Sequence, residues 1–221
     1  MEECRPVLNT GLRGVVIADT RICEVDGANG RLIYRGYMVQ DLAENASFEE
    51  VAFLLLYEKL PDSAELAEFK RRLLAERHLP PEVIDVLKKR PKDALPMDIL
   101  QAAVPLLAHH DPDTADQSME AVLRMSIRLI AKLAIVVAAW DRIRNDKEPV
   151  EPSADLDHAA NFLYMLSGEI PDEEMGRFLD KALVLHAEHS FNASTFAARE
   201  VASTRAHIYA SIAAAIGSLS G

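Results

Sequence analysis

"ASFEEVAFLLLYEKLP", residues 46–61, decides the fold. Ser47 followed three residues later by Glu50 is a capping box. The serine side chain takes a backbone N–H of the first turn, and the glutamate reaches back to the serine N–H. The apolar residues behind it continue to Pro61, which is expected to stop the helix. From here on the chain reads as a succession of capped segments with 3.6-residue periodicity, a mostly α protein with helices over about 47–217.

A second helix is expected over 62–77, with Leu66, Phe69, Leu73 and Leu74 on one face. "LPPEVIDVLKK" adds a short one. "LPMDILQAAVPLLAHH" starts at Pro96, where a missing N–H is harmless. Pro105 lies inside it, at about 3 kcal/mol in a free helix, so a kink or a split into two pieces is expected there. The longest helix covers 115–145. It is apolar on nearly every side from Ile127 to Trp140 and should be enclosed by protein. "KEPVEPSAD" reads as a linker. Helices near 155–167 and 172–188 follow, separated by a break at Gly168–Pro171. Two more are expected near 193–204 and 206–216, the last ended by Gly217. Upstream, "GVVIADTRICEV" and "RLIYRGY" flank "DGANG", whose residues tolerate positive φ, so a small β hairpin is expected over about 14–37.

The composition narrows the function. The 221 residues carry 24 Lys and Arg against 35 Asp and Glu, a formal net charge of −11. No basic cluster provides a nucleic-acid footprint, so no nucleic-acid partner is expected. "LIAKLAIVVAAW" contains Lys132 and is too short to span a bilayer, so no membrane partner is expected either. The opening "MEECRPVLNT" is neither basic nor apolar and does not look like a signal peptide. Cys4 and Cys23 read as two reduced thiols of a cytoplasmic protein, remote from any His pair.

Chemistry concentrates in "LHAEHSFNAST", residues 185–195. On a continuous helix His186 and His189 would share a face. Asn192 is placed to cap the helix that follows. A helix N-terminus offers unsatisfied N–H groups and partial positive charge to an anion, and an imidazole facing it could donate to a carboxylate or a keto oxygen. That combination suits a small dicarboxylate. A metal is not expected, because zinc wants three or four ligands and Glu188 would point about 160° away from His186. From the residues alone, the leading reading is a partly buried His pair satisfied by backbone carbonyls, with Asn192 as a simple cap. The same reading covers His109, His110, His158 and His207.

Longer stretches carry a resemblance. "GLRGVV" at 11–16, "YRGY" at 34–37, "LAENASFEEVAFLL" at 42–55, "LP" at 60–61, "PMDIL" at 96–100, "RIRNDKEPVEP" at 142–152, "NFLYMLSGE" at 161–169 and above all "LVLHAEHSFNASTFAAREVAST" at 183–204 resemble citrate synthases of the bacterial and archaeal short form. The resemblance runs from Gly11 to Gly221. "TRAHIY" at 204–209 and Pro105 depart from the family pattern.

The resemblance implies a multi-helical large domain with a small N-terminal β hairpin, and an acyltransferase that condenses acetyl-CoA with oxaloacetate to citrate and CoA. It implies a homodimer built through the helices at 96–109, 118–140, 193–204 and 206–216. It implies no cofactor, acetyl-CoA being a substrate. It assigns His189 to oxaloacetate, with His186 and Asn192 as neighbours that shape the pocket. The family's PLHGGAN motif, whose His polarises a substrate carbonyl, and the second catalytic His and Asp base that follow it are expected beyond Gly221, so no catalytic residue is expected within residues 1–221. The chain is therefore expected to be the N-terminal part of a large domain, without the small domain and the C-terminal part, and inactive alone. A 2-methylcitrate synthase fragment, a non-catalytic helical dimerisation module and a subunit of a split enzyme remain as alternatives.

Overall fold

The computed structural model describes residues 18–221. Cys4 and the "GLRGVV" stretch lie outside the described residues. Three short strands, β1 (Cys23–Asp26), β2 (Arg31–Tyr34) and β3 (Tyr37–Met38), form an antiparallel sheet in the order β1-β2-β3. Cys23 pairs with Tyr34 and Asp26 with Arg31. Asp26 holds the turn together by accepting from the Asn29 amide and from Arg31. The expected hairpin is thus present, but its first strand starts only at Cys23, and a third strand joins it.

Ten helices follow among the described residues: α1 (Val39–Asn45), α2 (Phe48–Tyr57), α3 (Ser63–Ala75), α4 (Pro81–Lys88), α5 (Pro96–Ala108), α6 (Met119–Arg144), α7 (His158–Ser167), α8 (Glu173–Leu185), α9 (Ala193–Ser203) and α10 (Ile208–Leu219). The mostly α architecture is as the periodicity predicts. Helix α1, directly after β3, lacks a side-chain cap and was not anticipated.

The Ser47/Glu50 box forms as predicted, and Asp62 with Glu65 makes a second one at α3. Helix α2 ends at Tyr57, before Pro61, because Glu58 turns left-handed at φ 68° and its N–H returns to the Leu54 carbonyl. Pro105 does not split α5. It lies in the last turn, so it removes one bond near a fraying end, and buried Val104 and Leu107 on either side anchor that turn in the core. Gly217 does not end α10 but lies within it. A Cβ there would meet Gln101 Nε2 at 2.5 Å, so the glycine serves the close approach of α10 to α5.

Helix α6 is the centre of the molecule. Its Met125, Ile127, Ile135 and Trp140 belong to four different hydrophobic clusters, which is why an all-round apolar helix is stable there. Buried Lys132 donates to the Glu76 carboxylate at 2.7 Å. Arg128 bridges Asp111 at 2.8 Å and Asp113 at 2.5 Å, and Tyr209 of α10 donates to Asp111 at 2.5 Å. Asp111 and Arg128 are largely hidden from water, so each charge stays buried only because the others satisfy it.

Two carboxylates fix the helices around the sheet. Asp180 of α8 accepts from the Phe48 N–H at the start of α2, and Glu49 of α2 accepts from the His158 N–H at the start of α7. The 147–157 connection is tied to the body. Arg142 donates to the Glu148 carbonyl and Arg77 to the Leu156 carbonyl.

Candidate functional site

The 186–192 stretch is a loop. Helix α8 stops at Leu185, with His186 as its C-cap. The histidine N–H returns to the Ala182 carbonyl, and its ring Nδ1 lies 2.6 Å from the same oxygen, so Nδ1 carries the proton. His186 and His189 therefore do not share a helix face, and Glu188 is not on a helix either. The expected continuation of the helix fails: α8 ends at Leu185, and the His186 N–H and ring Nδ1 both turn back to the Ala182 carbonyl.

A single phenol then holds the loop. Tyr34 of β2 has no exposed surface. Its hydroxyl donates to the Leu185 carbonyl at 3.2 Å and accepts from the Glu188 N–H at 3.3 Å, so it spans the break between helix and loop. Fully buried Val184 anchors the end of α8 in the cluster of Tyr34, Cys23, Leu42, Val51 and Leu54. Burial against this cluster, with Glu188 nearby, pushes the Cys23 thiol up from its ordinary value. Burial, with Cys23 and then Glu188 nearby, also pushes up the Tyr34 phenol, which stays a donor.

Beyond Tyr34 the backbone reverses. Glu188 accepts from the Ser190 N–H, and Ser190 is left-handed at φ 59°. The Asn192 N–H closes on the Ser190 carbonyl at 3.0 Å. Asn192 is the N-cap of α9, its Oδ1 accepting from the Thr195 N–H at 2.8 Å, as the sequence predicts. Arg199 of α9 stacks over the Phe191 ring, 4.9 Å from its centroid, and braces the loop from the other side.

His189 stands apart from these constraints. It is exposed, and no described residue hydrogen-bonds its ring. It lies three residues before Asn192, at the approach to the α9 N-terminus. Of the three predicted site residues, the structure brings His189 and Asn192 to one loop and turns His186 to its own helix. Among the described residues no three His, Cys, Asp or Glu side chains gather as a metal site. Sequence reasoning missed Tyr34: the motif that contains it, "YRGY", gives no hint of a partner 151 residues away.

The fold is a helical body on a small sheet, with an imidazole-bearing loop leading into a capped helix. It defines a member of a known class: the chain belongs to the citrate synthase family. The family profile described as "Citrate synthase, C-terminal domain" matches residues 11–221. Among individual proteins, the citrate synthase of Deinococcus radiodurans is 41% identical over 211 residues, which are 96% of this chain and 56% of that protein. The 2-methylcitrate synthase of Mycobacterium tuberculosis H37Rv is 42% identical over 98% of this chain and 55% of that protein. The crystal structure of citrate synthase from Pyrobaculum aerophilum superposes with a TM-score of 0.91 at 38% identity, covering 100% of this chain and 60% of that one. Citrate synthase from Thermoplasma acidophilum, solved as a ternary complex with carboxymethyl coenzyme A and oxaloacetate, superposes with a TM-score of 0.89 at 27% identity, covering 94% and 55%. The chain thus spans a little over half the length of the relatives it matches.

Proposed function

We propose that residues 1–221 form the N-terminal, mostly large-domain part of a cytoplasmic citrate synthase, which joins acetyl-CoA to oxaloacetate with release of CoA. The observation that carries this reading is His189: an exposed imidazole without a described partner, held on a braced loop at the start of a capped helix, in a chain of this family. There it can donate to a carboxylate or keto oxygen of oxaloacetate. Asn192 shapes the approach by fixing the start of α9, and His186 acts through the loop, since its Nδ1 is committed to Ala182.

The condensation needs a base for a weakly acidic methyl proton and donors for the enol and the keto oxygen. In the 186–192 loop Glu188 is engaged by the Ser190 N–H, and His189 is the one uncommitted imidazole. One such group cannot fill both roles, so the 221-residue polypeptide by itself is expected to make no citrate and to bind oxaloacetate weakly or not at all. The test is thiol release from acetyl-CoA with oxaloacetate, with the isolated chain and after mixing with a separately expressed C-terminal segment of a relative. Release by the isolated chain above background overturns the inactivity. Release only on mixing assigns it to a split enzyme, and none in either case to a simple truncation or a non-catalytic module. Any oxaloacetate binding that remains should weaken in His189→Ala.

A homodimer belongs to the same reading. Helix α9 has no buried residue and packs on α10 alone among its larger contacts, which leaves its outer face for a second copy. Sedimentation at micromolar concentration should show a dimer, and a monomer alone would contradict it. Propionyl-CoA is the second acyl donor to test, because the M. tuberculosis 2-methylcitrate synthase is as similar to this chain as the citrate synthases are.

A further inference from the structure

Helices α5, α6 and α7 enclose a slot of about 260 Å³ at the end of α6 that carries Trp140. We propose that this slot binds a short aliphatic monocarboxylate, its chain against the walls and its carboxylate on Arg144. The slot shares no residue with the 186–192 loop, so it is independent of the oxaloacetate reading; two of the helices that line it, α5 and α6, are among those the resemblance assigns to the dimer.

The walls are apolar: Met97 and Leu100 from α5, Val136 and Val137 from α6, Phe162 and Leu166 from α7. Trp140 completes them. Its side chain is almost wholly buried at 3% exposure, and its indole N–H has no partner among the described residues. A buried N–H without an acceptor is unfavourable, and an indole normally finds one.

The polar part of the lining is two residues, Asp141 and Arg144. Asp141 accepts from the Asn145 side chain, through its carbonyl and its carboxylate. The other arginines of α6, at 124, 128 and 142, are all bound to carboxylates or carbonyls. Arg144 is half-buried and has no hydrogen-bond or ion-pair partner among the described residues. A guanidinium fork matches a carboxylate in a paired, planar contact. Asp141 offsets part of the Arg144 charge, which opposes a phosphate or a dicarboxylate more than a singly charged head group. The volume, just below the usual range of about 300–1,000 Å³ for small-molecule pockets, fits a short chain and not a nucleotide cofactor.

Trp140 is the only tryptophan of the chain, so its emission reports on the slot directly. Octanoate and 1-octanol are the probes, titrated against the full 221-residue chain by fluorescence and calorimetry. Octanoate should bind saturably with a change in Trp140 emission. Arg144→Gln should weaken octanoate at least about tenfold and leave octanol unchanged, while Val137→Phe, at a partly exposed wall position, should weaken both. Unchanged circular dichroism certifies that each variant is folded. No saturable response in the wild type, or equal octanoate binding by Arg144→Gln, overturns the proposal. So does emission that follows protein concentration and ignores octanoate, which would assign the slot to a second copy of the chain.

Discussion

Tyr34 links the part of the molecule that resembles a scaffold to the part that carries chemistry. Its hydroxyl satisfies a carbonyl and an N–H on either side of the point where α8 becomes a loop. Tyr34→Phe keeps the buried ring and removes both bonds. Each is worth about 0.5–1.5 kcal/mol net, and the two orphaned backbone groups add to the loss. A destabilisation of about 1–3 kcal/mol is expected in urea, together with faster amide exchange at Glu188. Unchanged exchange there would mean that the loop is held by Ser190 and Asn192 alone. Residues were unevenly legible in the sequence. Asn192 could be read because capping is local: the donor, Thr195, is three residues away. Tyr34 could not, because its partners lie across a fold that must already be known. His189 was found through a resemblance. Its freedom from partners became visible only when the helix proved to end at Leu185.

At the scale of elements, helix α10 shows how neighbours overrule local signals. A glycine near the end of a helix reads as a stop, and by that signal Gly217 should end α10. It is kept small by Gln101 of α5 instead. In an exposed helix Gly→Ala stabilises by up to about 1 kcal/mol. Gly217→Ala should gain much less than that, or lose, because the new methyl displaces the Gln101 amide. In a Gln101→Ala background the full gain should appear. A double-mutant cycle with coupling below about 0.3 kcal/mol would show that Gln101 simply moves aside. The starts of α2 and α9 were legible because the Ser47/Glu50 box and the Asn192 cap are each written within four residues. Helix α1 was not, since Met38 gives it no cap and β3 leads straight into it.

Across the whole molecule, pH acts on groups that no local pattern identifies. His158 is buried at the start of α7, its ring tilted against Phe48 at 4.9 Å between centroids. Desolvation, and then the nearby Arg77 guanidinium, hold its imidazole down from 6.5 to about 4, with Asp157 opposing. The folded state thus favours the neutral ring. Its contribution is complete above about pH 6.5 and is lost as pH falls towards 4, on the order of 3 kcal/mol in all. Between pH 7 and 4.5 the urea midpoint should fall in the wild type and fall distinctly less in His158→Gln. Parallel curves would exclude His158 as the cause. Asp113 leaves this window clear: its bonds from Arg124 and Arg128 hold it far below the usual carboxylate range, so its contribution is lost only in stronger acid.

The distribution of the hydrophobic clusters along the chain also fixes an order of events during synthesis. Three of the clusters on α6 lie within residues 52–165 and can close as soon as that length has left the ribosome. The cluster of α5 and α6 that also takes Tyr209 and Ile216 of α10 cannot. Until α10 emerges, Asp111 lacks its bond from Tyr209, and the apolar flank of α5 faces solvent. At about 5–20 residues per second the delay between Met165 and Ile216 is a few seconds. Over that interval a half-made chain presents an open seam beside a finished core, which is the surface a chaperone would meet first.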